Sequence, residues 1–249
     1  MVLLKQISIC MISIIYRKPT ITIDCFTTNV NSYEYFPIKQ AREFIPDWWK
    51  KLKPSFESLE QSGVTVNRPT LKRCEGLMQL YQYGFILPLW SDLVVETKDP
   101  VISWQFADGE SDVANHDMKQ MSNEFERFSH IKIVSPWKFR EKQGVKFSYT
   151  QTTWNFIDRI MLYHTLPGVV DYKYQTTTHI NMLLQKNMRY VFEAGDPMAH
   201  ITPLDDRKIK IKCHLIDDAE MQKLGLSRSG WPWFNSSYNK SRKIKNANS

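Results

Sequence analysis

The stretch that decides the fold runs from residue 166 to residue 204 and reads LPGVVDYKYQTTTHINMLLQKNMRYVFEAGDPMAHITPL. The Pro167-Gly168 pair makes a stiff turn, and Val169-Val170 enter a strand behind it. An alternating run follows, and a second turn comes at Ala194-Gly195-Asp196. Short apolar runs separated by turn residues are typical of β-sheets. The stretch therefore predicts at least three consecutive strands.

The same pattern extends over residues 131–216. Runs such as IKIVSPW, VKFSYTQT, YVFEAG and KIKIKCHLI follow one another at fairly regular spacing. The last of these alternates cleanly, so Ile209, Ile211 and Cys213 should share one face and the lysines the other. We predict a mainly β protein whose C-terminal half is a compact distorted barrel or a sandwich.

The N-terminal half should add strands and two or three short helices. Residues 12–26 alternate as a strand or hairpin that Pro19 breaks. Residues 37–56, PIKQAREFIPDWWKKLKPSF, predict a short helix or helical turn, stopped by Pro46 and Pro54.

A second helix should begin near Thr70, which is suited to cap its N-terminus, and should end at Gly84. Within residues 37–56, Trp48 and Trp49 either plug the edge of the core or form a stacking platform. We favour the first interpretation.

These patterns divide the chain into four regions. Residues 11–105 form strands and helices packed on the barrel, and residues 106–130 are a polar loop segment. Residues 131–216 form the barrel core, and residues 217–249 carry a short helix and a basic, aromatic tail.

Composition indicates a globular protein with a sizeable core. The 249 residues are 42% hydrophobic and 24% charged, and the net charge is +7. A basic balance suits an acidic partner such as nucleic acid. Part of the excess lies in residues 238–249, which hold four basic residues and no acidic one.

The pattern of residues 1–16 does not predict a membrane segment. Residues 1–16 are apolar but interrupted by polar residues, and no small-residue cleavage site follows. Because the strand-like alternation begins at Met11, we expect residues 1–10 to be an upstream start extension. The four cysteines are widely spaced and predict free thiols rather than a zinc site: Cys10, Cys25, Cys74 and Cys213.

Sequence motifs for catalysis are missing. The chain has no phosphate loop, dinucleotide fingerprint, nucleophile elbow or HExxH pair. We therefore predict no cofactor and no metal. Convergence of His164, His179 and His200 across strands on a metal stays open as an alternative.

The opening stretch resembles the third motif of the dUTP pyrophosphatases. The matching residues are Gly168, an aliphatic pair, Asp171 and Tyr174, with a later Gly195-Asp196 turn. The resemblance covers roughly residues 131–205 and implies a β-clip fold that often assembles as a trimer. It also implies that Asp171 corresponds to the water-activating aspartate and that Tyr174 packs against deoxyribose.

The same resemblance fails at the phosphate-binding positions. Where the family has Pro-Arg-Ser-Ser, this chain has Tyr149–Thr153, and where the family has Arg-Gly-Glu, it has Gln175-Thr176-Thr177. Triphosphate needs arginines and backbone donors. Asp171 is therefore only a candidate catalytic residue.

A second resemblance covers most of the chain. The segments ITIDCFT, PDWWKKL, TLKRCEG, GFILPLW, VSPW and LPGVVD are similar to a family of uncharacterised proteins of large tailed phages, particularly those of cyanobacteria. It implies a phage-encoded protein that works in the cytoplasm of the infected cell or in the virion. Partners would then be further copies of the chain, as in a homotrimer, or a phage or host protein.

Two functions from different classes follow. The first is a non-catalytic binding or assembly protein on a β-clip-like barrel. The alternative is a diverged nucleotide-processing enzyme whose pocket lies near Asp171, Tyr174 and His179, with Arg228 and Trp231 gripping phosphate and base from a lid. Nucleic-acid binding through the basic tail is a third possibility.

Overall fold

The computed structural model describes residues 19–109, 111, 113–115, 122–156 and 162–226. Within these ranges the chain forms sixteen strands, four short α-helices and several 3-10 turns. The strands are β1 (Ile21–Thr27), β2 (Lys39–Gln40), β3 (Ser55–Leu59), β4 (Thr65–Pro69), β5 (Phe85–Pro88), β6 (Leu93–Lys98), β7 (Val101–Phe106), β8 (Val113–Asn115), β9 (Phe128–Glu141), β10 (Lys146–Thr150), β11 (Tyr163–Thr165), β12 (Gly168–Asp171), β13 (Thr177–Gln185), β14 (Met188–Phe192), β15 (Pro197–Pro203) and β16 (Ile209–Leu215). The helices are α1 (Val30–Glu34), α2 (Asp47–Lys51), α3 (Glu75–Gln82) and α4 (Asp218–Lys223). The predicted mainly β fold, with N-terminal strands and a few short helices, is confirmed.

Four sheets organise these strands. The largest has the order β11-β13-β9-β1-β16, with β8 also paired to β9. The second has the order β12-β10-β15-β5-β2, the third is β14-β6-β7, and β3-β4 is an isolated hairpin. Nearly every pairing is antiparallel, but β1 and β16 run parallel.

One hydrophobic core joins the three larger sheets. Phe139 of the first sheet meets Phe85 of the second, with ring centroids 5.6 Å apart. Tyr172, which is fully buried, lies 5.0 Å from Phe139 and 5.3 Å from Phe147. Aromatic contacts of this kind add stability beyond the area they bury. The two largest sheets therefore pack as a sandwich.

The predicted barrel is not seen. Closing a sheet requires its two edge strands to pair. Across the described strands the edges are β11 and β16 in one sheet and β12 and β2 in the other, and both sheets stay open. Instead of closing on themselves, the two sheets face each other, with Phe139 of one packed against Phe85 of the other. The more specific likeness to a β-clip stays a prediction.

The alternation in the last strand is confirmed. Ile209, Ile211 and Cys213 pack against the core, whereas Lys210 and Lys212 are exposed. This side of β16 lies in register with β1, where Cys25 faces Cys213.

The helices are shorter and more divided than the sequence predicts. Residues 37–56 form a 3-10 turn at Ala41–Phe44 and then α2, because Pro46 separates them. Thr70 does act as a cap, since its hydroxyl accepts from the Lys72 N–H at 3.2 Å, but it begins a 3-10 turn that precedes α3.

The predicted polar loop at 106–130 is not wholly irregular. It contains β8, and β9 begins at Phe128. These strands are not evident from the sequence, because the segment is rich in polar residues and β8 spans only 3 residues.

The predicted N-terminal region and barrel core share their sheets. Strands β1, β5 and β6 come from the first region, and their partners β9, β15 and β14 come from the second. The predicted region boundaries remain an interpretation of the sequence.

Candidate functional site

The structure has a break in the largest sheet, centred on Pro136 of β9. Residues 131–133 of β9 pair with β8, and residues 138–141 pair with β1 on the same side. Proline has no N–H to give to a ladder. Across the described strands, none pairs with residues 134–137 on that side, and β13 opposite them shows a register shift between Thr177 and His179. We call this opening the β9 gap.

The β9 gap contains a cavity of about 740 Å³. Its volume falls in the range of small-molecule sites. The chain after β1, the chain before β8, the β9 strand and helix α4 all contribute to its walls. The described lining residues are Thr28, Asn29, Ser111, Val134, Ser135, Pro136, Lys138, Asp218, Met221 and Gln222.

Lys138 is the cation of this cavity. Its side chain is half-buried, and burial lowers the pKa of its ammonium group from the ordinary value. Among the described residues, no hydrogen bond or ion pair reaches that ammonium. A partly desolvated charge without a counter-ion costs free energy, and a bound anion would recover it.

One neutral group of the cavity is free to donate a hydrogen bond. Asn29 uses its Oδ1 to accept from the Ser32 N–H at 2.7 Å, which leaves its NH2 group for another acceptor. The Ser135 hydroxyl accepts from the Trp137 N–H at 3.1 Å, but this side chain is buried on the core-facing side of β9. The cavity therefore offers a cation and one neutral donor.

The Ser111 hydroxyl already has hydrogen-bond partners within the protein. Its hydroxyl accepts from the Trp90 indole N–H at 2.7 Å and lies 2.6 Å from Asp108 Oδ2, to which it donates. It shapes the wall and offers little to a ligand.

Asp218 adds a negative charge to the wall of the cavity, which disfavours an anion there. It is the one carboxylate of the described lining residues, and it is exposed at the first turn of α4. Asp217, not Asp218, caps that helix by accepting from the Glu220 N–H at 2.7 Å. The Asp218 charge is therefore available to weaken anion binding.

The outer face of the sheet around the gap is also cationic. Strand pairing puts Lys132, Lys138 and Arg140 of β9 on the same face as Lys210 and Lys212 of β16. One acidic side chain of β1 shares this face: Asp24, which contacts His214 at 3.0 Å. The field on this side of the sheet favours an anion.

Asp171 closes a turn. It is buried at the end of β12, and its Oδ1 accepts from the Lys173 N–H at 3.0 Å. Its carbonyl oxygen accepts from the N–H groups of Tyr174 and Gln175. The side chain and the carbonyl group of Asp171 are thus both held by hydrogen bonds within this turn.

The other candidate residues are scattered. Tyr174 is half-buried, with the Lys173 ammonium 5.6 Å from its ring. His179 lies on the outer face of β13, opposite Val134 of the cavity wall. Arg228 and Trp231, with the rest of the proposed lid, fall outside the described residues.

Metal binding by histidines gains no support from the described part of the chain. There, no group of three or more His, Cys, Asp or Glu side chains could hold a metal ion. His164 and His179 lie in the first sheet, whereas His200 lies in the second and bonds to the Tyr83 carbonyl at 2.8 Å.

A second cavity lies beside the tryptophan pair. It measures about 620 Å³ and is lined mainly by apolar side chains, among them Trp48, Phe56 and Leu71. Trp48 and Trp49 are half-buried and pack on a small core around Leu77 and Tyr81. The prediction that they plug the core edge is confirmed. Neither cavity is lined by Asp171, Tyr174 or His179.

Sequence reasoning missed Lys138. The signal was available in IKIVSPWKFRE, because the alternation puts Lys132, Lys138 and Arg140 on one face. Pro136 in the middle of that run also predicts an interrupted ladder. The walls supplied by Thr28, Ser111 and Asp218 are distant in the chain and gave no signal.

No family model matches the chain, and no curated protein does. In the part of the chain that the structure describes, no helix has the length and apolar character needed to span a bilayer.

Proposed function

We propose that the protein is a non-catalytic binding or assembly protein that receives an anionic group in the β9 gap. The observation that carries the proposal is Lys138, a half-buried cation beside a cavity with no partner for its ammonium in the described residues. The free NH2 group of Asn29 supports it, since an anion can accept from that group and from the Lys138 ammonium together.

The phage resemblance extends the proposal to a setting. The protein would be phage-encoded, built on a β-clip-like ancestor, and active in the cytoplasm of the infected cell or in the virion. Mass spectrometry of purified phage particles tests the virion role, which requires peptides of this chain at a stoichiometric level.

The ligand chemistry is tested with anions of three kinds: inorganic phosphate, citrate and dUTP. We expect at least one of them to raise the melting temperature and to bind more weakly as salt increases. Lys138→Met keeps the apolar stem and removes the charge, and should weaken binding about tenfold or more. Lys146→Met is the matched control on the other large sheet and should bind like the wild type.

Asp218→Asn sharpens the test. It removes the opposing carboxylate and should strengthen binding of the same anion, with the opposite sign to Lys138→Met. Equal binding by wild type and Lys138→Met, or no shift with any of the three anions, contradicts the proposal. Release of pyrophosphate from dUTP with magnesium would favour the nucleotide-processing alternative.

A further inference from the structure

Two cysteines face each other inside the largest sheet. Cys25 of β1 and Cys213 of β16 are direct partners in the parallel ladder. Both lie on the core side, where Cys25 is fully buried and Cys213 is half-buried. Cys74, in contrast, is exposed and lies outside the strands, at the start of α3.

The placement suits a covalent bond. Direct partners in a sheet have Cα atoms about 5 Å apart, which lies inside the range of natural disulfides. Each thiol shifts the pKa of the other, and the Cys213 thiol donates to the Ile38 carbonyl oxygen at 3.7 Å. The backbone need move little to bring the sulfur atoms within bonding distance.

We propose that Cys25 and Cys213 form a reversible disulfide when the protein meets a hydroperoxide. Cys213 is the attacking thiol, because its side chain is only half-buried, and the fully buried Cys25 is the resolving thiol. The proposal does not depend on what the β9 gap binds.

The electrostatics of the pair support these roles. The hydrogen bond from Cys25 lowers the pKa of the Cys213 thiol, whereas burial raises the pKa of Cys25 well above its ordinary value. The thiolate is the nucleophile in such chemistry. Cys213 therefore ionises first.

The reaction balances in two steps. The Cys213 thiolate attacks one peroxide oxygen, the O–O bond breaks, and the sulfur becomes a sulfenic acid as an alcohol or water leaves. The Cys25 sulfur then attacks Cys213 Sγ, the S–O bond breaks, and water leaves with the Cys25 proton. The peroxide is reduced by two electrons, and the two thiols are oxidised to one disulfide.

The disulfide would join the two strands that lead into two of the walls of the β9 gap. Thr28 and Asn29 come directly after β1, and α4 comes shortly after β16. A disulfide between β1 and β16 would therefore restrict the distance between Asn29 and Asp218.

The test uses the full chain with Cys10 and Cys74 replaced by serine, so that two thiols remain. After hydrogen peroxide treatment we expect the mass to fall by two hydrogens and a digest to contain a peptide joining Cys25 to Cys213. Dithiothreitol should reverse both changes. The oxidised protein should melt higher by at least about 5 °C, because the cross-link closes a long loop.

Cys213→Ser in the same background should show none of these changes. If a serine background fails to fold, the linked peptide is sought in the unmodified chain, where Cys74 serves as the internal control. Trapping of sulfenic acid on Cys213 with no linked peptide overturns the proposal. A link from either cysteine to Cys74 does so as well.

Discussion

Tyr172 is the residue of the LPGVVDYKY stretch that the core depends on. Its ring touches Phe139 and Phe147, and its hydroxyl lies 2.6 Å from the Thr178 hydroxyl. Its neighbours Asp171 and Tyr174 drew attention in the sequence, while Tyr172 is the fully buried one. The stretch therefore serves the packing of the sandwich first.

Because the Tyr172 hydroxyl is buried, we expect the folded protein to lose stability at alkaline pH. Burial raises its pKa far above the ordinary value of 10.0, and it raises the pKa of Tyr81 in the same way. A raised folded pKa gives stability that is complete below pH 10 and is lost as the pH rises further, since only the unfolded chain releases the proton. Urea unfolding at pH 8 and pH 10.5 measures this loss.

Tyr172→Phe separates the two contributions of that hydroxyl. At pH 8 it should cost about 1 kcal/mol, because Thr178 loses its partner. Between pH 8 and pH 10.5 it should lose less stability than the wild type. Tyr33→Phe, at an exposed ring, should change neither value. An unchanged alkaline loss in Tyr172→Phe contradicts the account.

The sequence singles out Asp171 but does not show which groups contact it. A carboxylate that closes a turn and one that activates water have the same local pattern of glycine, aliphatic pair and aspartate. The difference lies in residues far along the chain. Lys138 poses a similar difficulty, because Asn29 lies 109 residues before it in the chain and Asp218 lies 80 residues after it.

At the scale of elements, Gly84 joins α3 to β5. Its φ is +78°, and a Cβ there would collide with the carbonyl oxygen of Ile201 on β15. Its own carbonyl accepts from the Ala41 N–H at 3.2 Å. The positive φ and the close approach of Ile201 both require glycine at this position, where the sequence predicts the end of a helix.

Gly84→Ala should therefore destabilise the protein by clearly more than about 1 kcal/mol. Gly63→Ala is the matched control, because Gly63 has the same φ of +78° in open space. It isolates the conformational strain from the collision. Thermal unfolding of the two variants gives the comparison, and equal losses would show that the contact with Ile201 is relieved at no cost.

Elements were predicted well where one local period persists, and poorly where it changes. The alternation of β16 continues through KIKIKC, and the structure follows it. The helix predicted from Thr70 is split, because Cys74 has an extended backbone between the 3-10 turn and α3. The sandwich could not be told from a barrel, because closure depends on edge strands that are distant in sequence.

For the whole molecule, stability should be distributed unevenly. β1 is paired on both sides, by β9 and β16, and its core face is fully buried. The β3-β4 hairpin pairs only with itself, and isolated hairpins are marginal in water. Local opening follows such differences in contact.

Hydrogen exchange followed by mass spectrometry should rank these regions. Peptides from residues 21–27 should be among the last to exchange, and those from residues 55–69 among the first. Mild urea should advance the exchange of the hairpin before that of β1. Simultaneous exchange of both regions would indicate a single cooperative unit and contradict the prediction.

The parallel pairing of β1 with β16 also sets an order of events during translation. β1 leaves the ribosome nearly two hundred residues before its partner is made. At the usual speed of synthesis the wait is roughly ten to forty seconds. Until then one edge of β1 offers unpaired N–H and C=O groups, which can template pairing with another chain. A nascent chain that stalls before residue 209 therefore presents an open sheet edge, and the cell must shield or degrade it.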